Sequence, residues 1–212
     1  MTQENAAQYL CSHYDSSERW ISYWYQIQAI CRINPQSVLE AGCGSSVFSR
    51  YVRENLKLAL TTFDIDSALK PDVVGDLKNI KDYFSEKSFD CVCLFQVLEH
   101  LPFEDFELVL RQLTRISRRY ILLSLPFNGA SFFLKIIFGT NSLSHSMGFK
   151  IPMRKRWKFD GQHYWEIGAL GYPLRRIIQT LNRHCAIRRH YFCKEHPYHY
   201  FFECEIDAHS HS

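Results

Sequence analysis

Apolar positions along the chain switch between two spacings in a regular alternation. Residues 15–33 carry apolar side chains at helical spacing, with Asp15, Ser16 or Ser17 placed to cap them. Asn34-Pro35 ends that helix, because a residue before proline is pushed out of the helical region. A short apolar run, Ser37–Ala41, then delivers Gly42-Cys43-Gly44. Helical spacing resumes over 46–56, with Val47, Tyr51 and Val52 on one face. Two further strand-like runs close on acids: 60–63 on Asp64, and Val73-Val74 on Asp76. Phe89–Phe95 reads as a parallel strand covered on both faces. Residues 103–117 read as a helix, with Phe106, Val109, Leu110 and Leu113 in phase. Residues 120–125 give a fifth strand, stopped by Pro126.

Strands alternating with helices predict an α/β fold: a parallel sheet with helices on both faces. The last part departs from that pattern. A helix over 174–181 follows Pro173, and strand-like runs follow at 186–193 and 198–206. The link 194–197 is too short for a parallel crossover, so those two runs form an antiparallel hairpin. The expected architecture is a Rossmann-like, seven-stranded, mostly parallel sheet with an antiparallel C-terminal hairpin. The chain divides into a cap-helix region (1–36), a main domain (37–206) with an insertion at about 127–172, and a tail (207–212).

Composition sets the class. Hydrophobic residues make up 46% and charged residues 22%, which selects a globular chain over a disordered one. A net charge of +3 is too small to call for a nucleic-acid partner by itself. No apolar run is long enough to span a bilayer, and the polar start at 1–7 lacks a secretory signal pattern. Cys11, Cys31, Cys43, Cys91, Cys93, Cys185, Cys193 and Cys204 include no CxxC pair, so the expectation is free thiols in a reducing cytoplasm. No metal site is expected. His196 and His199 stand beside Cys193 and Glu195 at a turn without a second cluster, and no acidic pair suits magnesium.

Four segments carry candidate chemistry. Val38-Leu39-Glu40-Ala41-Gly42-Cys43-Gly44-Ser45-Ser46 brings an acid and two glycines to a strand's C-terminal edge, where open α/β sheets bind ligands. Asp64 ends the next strand, at the spacing that lets a carboxylate accept ribose hydroxyls; Asp66 competes for that role. Gly75-Asp76-Leu77 follows the third strand. Phe89-Asp90-Cys91-Val92-Cys93-Leu94-Phe95-Gln96-Val97-Leu98-Glu99-His100-Leu101 forms the fourth. The third glycine of a dinucleotide-binding fingerprint is missing, since Val47 stands there.

In this order the four segments resemble class I S-adenosylmethionine (SAM)-dependent methyltransferases, small-molecule enzymes with a Leu-Glu-His tripeptide. The resemblance covers most of the chain. In its C-terminal third, the segments 160–168 and 197–202 are similar to uncharacterised bacterial methyltransferases. The resemblance implies SAM as cofactor and S-adenosylhomocysteine as product. It implies cofactor contacts at Glu40, Gly42, Cys43, Gly44, Asp64, Ile65, Asp76, Leu77, Phe95 and Gln96, with Tyr14 and Tyr23 closing from the N-terminal side. Trp20 and Trp24 either close over SAM as well or pack on the sheet. Ser46 replaces the family's usual third glycine, which implies a wider or differently bonded loop.

Methyl transfer from a sulfonium is an in-line displacement, so positioning is the main task. An oxygen acceptor also needs its proton removed, and His100 and His163 are the candidate bases. His163, Trp165 and Glu166 lie in the inserted segment and are the candidate acceptor wall. The expected partner is a small-molecule acceptor taking an O- or N-methyl group. Two alternatives stay open: an RNA or other nucleic-acid methyltransferase using the basic run at 153–158, and a non-catalytic SAM-binding protein. The apolar stretch 132–138 reads as a greasy lid, an interfacial patch or a buried helix.

Overall fold

In the computed structural model, residues 16–138 and 143–206 are described. Tyr14, Cys11 and the tail 207–212 lie outside them. The helix α1 (Ser17–Ile33) starts at Ser16, whose hydroxyl accepts from the Arg19 amide at 3.4 Å, and ends on Asn34 in the left-handed region (φ 44°). It is followed by β1 (Ser37–Ala41), α2 (Val47–Glu54), β2 (Ala59–Asp64), β3 (Val73–Val74) and β4 (Phe89–Phe95). Then come α3 (Phe103–Ile116), β5 (Ser117–Pro126), β6 (Gly129–Phe138), β7 (Leu143–Pro152), α4 (Leu174–Leu181), β8 (Ala186–Phe192) and β9 (His199–Glu205).

The expected sheet forms, in the order β3-β2-β1-β4-β5-β9-β8. β1 to β5 are parallel, and β9 runs antiparallel to both β5 and β8. Alternate residues of a strand face opposite sides, and the two cores divide on that rule. Leu39, Val92 and Leu94 pack with Phe106, Val109, Leu110 and Leu113 of α3 and with Ile177 and Leu181 of α4. Val38, Cys91 and Cys93 pack on the other side with Ala29 and Ile30 of α1 and with Phe48 and Val52 of α2. The seven described cysteines are free. Among the described residues no helix is long and apolar enough to cross a membrane.

Two expectations change. Trp20 and Trp24 do not pack on the sheet: they are 54% and 55% exposed. The helix turns Tyr23, Gln26, Ala29 and Ile30 inward instead. The stretch 132–138 is not a buried helix but part of β6, which pairs with β7 as a hairpin outside the main sheet. Phe132, Leu134 and Ile136 are exposed on one face, with Phe149 opposite Phe132 and Met147 opposite Leu134.

Candidate functional site

β1 and β4 are neighbours in the sheet, but the chain leaves them toward opposite edges, to β2 and to β5. Loops that diverge in this way open a crevice at the strands' C-terminal ends. A cavity of about 360 Å³ lies there, lined by the loops after β1, β2, β3 and β4 and by residues of the 159–164 segment.

The loop after β1 turns sharply on Gly42 (φ 84°) and Gly44 (φ 45°). A Cβ on Gly42 would stand 2.3 Å from Cγ2 of Val97, so the loop after β4 is what forbids a side chain there. Ser46 adopts φ 61° and donates its amide to the Cys43 carbonyl at 2.8 Å. The serine thus takes the left-handed conformation a glycine adopts more readily, and the turn stays tight rather than widening.

Asp64 joins two loops. One carboxylate oxygen accepts from the Cys43 amide at 2.9 Å and the other from the Asp66 amide at 3.0 Å, and the residue lines the cavity. Asp66 also lines the cavity, and its side chain caps the short turn Ser67–Leu69 by accepting from the Ala68 amide. Asp76 accepts from the Lys78 amide at 2.9 Å and also lines the cavity, with Ile65 and Leu77 nearby on its wall. Phe95 packs edge-on against Phe48, their ring centres 5.1 Å apart. Gln96 adopts φ 59°, held there by an amide bond to the Ser124 carbonyl and a side-chain bond to the Ser124 hydroxyl. Both line the cavity, and a non-glycine residue at positive φ beside a cavity marks a site the fold has over-determined.

Behind the glycine loop is a smaller pocket of about 40 Å³, lined in part by Arg19, Tyr23, Glu40, Cys43 and Ser45. The Tyr23 hydroxyl bonds the Ser45 hydroxyl at 2.8 Å. Burial pushes the Glu40 carboxyl up to about 8; the Asp64 charge adds to this, while the Ser49 hydroxyl and Arg53 act against it. One Glu40 oxygen has no hydrogen-bond partner among the described residues. Burial also pushes the Cys43 thiol up to about 12, so it is no nucleophile at neutral pH.

The other end of the site is assembled from distant segments. Leu98–His100 forms a single 3-10 turn after β4, with Glu99 fully buried. The Tyr164 amide donates to the Glu99 carbonyl at 2.8 Å, and the Trp165 indole donates to the Leu101 carbonyl at 3.0 Å. On the far side, the Ile167 amide donates to the Pro126 carbonyl at 3.0 Å. Those bonds stitch the inserted segment between the turn and the end of β5, and bring the His163 ring 5.1 Å from that of His100. Both histidines line the cavity. Nδ1 of His100 bonds the Gln162 carbonyl at 3.1 Å, and Nδ1 of His163 bonds Glu166 at 2.9 Å. The Tyr198 hydroxyl donates to the same Glu166 oxygen. Burial by itself would lower the His163 pKa, but the Glu166 hydrogen bond and the charges of Glu99, Glu166 and Asp160 outweigh it and raise the group above the usual imidazole value.

Two residues expected in the acceptor wall are elsewhere. Trp165 has no exposed surface and packs against Phe103 and Phe106, with ring centres 5.0 and 5.4 Å away. A large indole that finds a carbonyl partner is stable in the core. Glu166 is 4% exposed and stands behind His163 rather than on the cavity surface. Conversely, sequence reasoning missed Arg19, Tyr198 and His199 on the cavity wall. His199 is buried, and Nδ1 lies 2.6 Å from the Ser22 hydroxyl of α1. Nothing near residue 199 in the sequence signals this; it follows from β9 lying beside β5.

The chain matches the family model described as a methyltransferase domain over residues 15–171. No curated protein matches it. Among solved structures it is similar to the 1,6-didemethyltoxoflavin-N1-methyltransferase of Burkholderia thailandensis (14% identity, TM-score 0.58, 95% of this chain and 86% of that one). It is also similar to the magnesium protoporphyrin IX methyltransferase of Synechocystis PCC 6803 (14% identity, TM-score 0.58, 90% and 84%). A third is an S-adenosylmethionine-dependent methyltransferase of Clostridium acetobutylicum ATCC 824 (8% identity, TM-score 0.59, 92% and 94%). At such identities the likeness is one of fold.

Proposed function

Because this chain belongs to the methyltransferase domain family, we propose that it transfers the methyl group of SAM to a small-molecule acceptor. The observation that carries the reading is Asp64, whose carboxylate spans the loops after β1 and β2 and still lines the cavity. There it takes the ribose hydroxyls. The adenine lies between Ile65 and Leu77 with its amino group toward Asp76, and the methionyl end reaches the glycine loop, Glu40, Tyr23 and Arg19. The sulfonium then stands near Phe95 and Gln96, and the acceptor enters from the side of His100 and His163. A fixed donor and a confined acceptor supply the alignment that an in-line displacement needs.

Three further observations support this reading. Two of the similar structures were solved with S-adenosylhomocysteine bound; one also holds 1,6-didemethyltoxoflavin, and the other is named for magnesium protoporphyrin IX. The cavity volume of about 360 Å³ lies in the range of small-ligand sites. The seven described cysteines are free, six of them buried, which suits a reducing compartment, and we place the protein in the cytoplasm.

Calorimetric titration with SAM tests the assignment. Asp64→Ala should bind SAM at least about tenfold more weakly, since a hydrogen bond to a charged group is worth roughly 1.5–3 kcal/mol. A folded variant with parental affinity would remove Asp64 from the cofactor.

A further inference from the structure

We propose that Glu99, His100 and His163 form a binding site for one divalent transition-metal ion at the acceptor end of the cavity. One donor atom from each residue lies within 4.8 Å of the other two. Small side-chain rotations close that to the roughly 3.4 Å kept by ligands about 2.1 Å from one tetrahedral ion.

Glu99 is the first reason. It is fully buried, and neither carboxylate oxygen has a hydrogen-bond partner among the described residues. A buried polar group without partners costs free energy that the fold tolerates only for a purpose. Two imidazoles face it, and a cation held between them neutralises and ligates the carboxylate.

The orientation of the histidines is the second reason. The Gln162 carbonyl can only accept, so Nδ1 of His100 carries the proton. Glu166 likewise takes a proton from Nδ1 of His163. With Nδ1 so engaged, Nε2 is the nitrogen each imidazole has left to offer an ion. This is the outer-shell arrangement that sets the tautomer and basicity of metal-bound histidines. Glu166, itself anchored by Tyr198, is therefore a positioning residue.

Two imidazoles and one carboxylate suit zinc, manganese, iron or cobalt better than calcium or magnesium, and leave coordination positions open. His100 and His163 line the cavity, so those positions face the acceptor. The role in catalysis, though not the ion's binding, rests on the methyl-transfer reading. An acceptor hydroxyl bound there loses its proton to solvent more readily. Its oxygen forms the new O–C bond as the C–S bond breaks, and that electron pair stays on sulfur. On this account the histidines hold the ion and are not themselves bases.

The test uses the full chain after dialysis against a chelator. Cobalt(II) is titrated in and followed by its visible absorption, with zinc followed by calorimetry. One equivalent should bind saturably. Glu99→Gln and His163→Ala should each abolish the signal, and Glu166→Gln should weaken binding by about tenfold or more. SAM affinity is measured on the same samples and should survive metal removal and the Glu99→Gln change. Folded, SAM-binding protein that takes up no cobalt or zinc at millimolar concentration would overturn the site. So would variants that titrate like the parent. Metal uptake without SAM binding would instead overturn the methyl-transfer reading and leave the ion site standing.

Discussion

Glu40 shows at the scale of one residue how a ligand site works against the stability of the free protein. Its carboxyl sits in the core, raised to about 8 mainly by burial. The folded state therefore binds more protons than the unfolded chain between the usual carboxylate range and that value. Stability from this group is complete at low pH and is lost as pH rises through about 8. Glu40→Gln should accordingly melt like the parent near about pH 5 and above it near about pH 9. Melting curves across that range check this, and a gap that widens toward low pH would contradict it. Other single residues were readable from spacing alone. Asp64 ends β2, and Gly42 and Asp76 lie just beyond β1 and β3; the C-terminal ends of strands are where the fold places ligands. Trp165 and Glu166 were not readable as they stand. Large or charged side chains in an inserted segment look alike in sequence whether they face a cavity or the core.

At the scale of elements, the helices and strands of the main sheet follow the apolar periodicity closely, because each must bury one face or both. The hairpin of β6 and β7 obeys a weaker constraint. A short apolar run does not distinguish helix from strand, and here the partner strand decided it. Its exposed face gives a direct check. Phe132 and Phe149 stack across the hairpin with ring centres 5.4 Å apart, yet each is about half exposed. Changing both to Ser should cost under about 1 kcal/mol in denaturant unfolding, as expected of surface positions. A loss of several kcal/mol would mean that this face is covered in solution.

For the whole molecule, the end of the cavity that carries His100 and His163 depends on Trp165 to dock the inserted segment. The indole fills the core beside α3 and its N–H holds the Leu101 carbonyl, just after the turn that carries His100. Trp165→Ala should cost about 3–5 kcal/mol, the range for removing a large buried aromatic. Equilibrium unfolding measures this; a cost below about 1 kcal/mol would show that the segment docks without it. The sequence by itself determined the sheet, its closing hairpin and the loops after β1 to β4 that line one end of the cavity. Those depend on periodicity within each element and on loops that directly follow their strands. Tertiary structure alone decided the histidine end of the cavity. Tyr164 bonding the Glu99 carbonyl, Ile167 bonding Pro126, and β9 pairing with β5 bring His100, His163 and His199 to one cavity. Such contacts join residues far apart along the chain, and no local spacing of side chains encodes them.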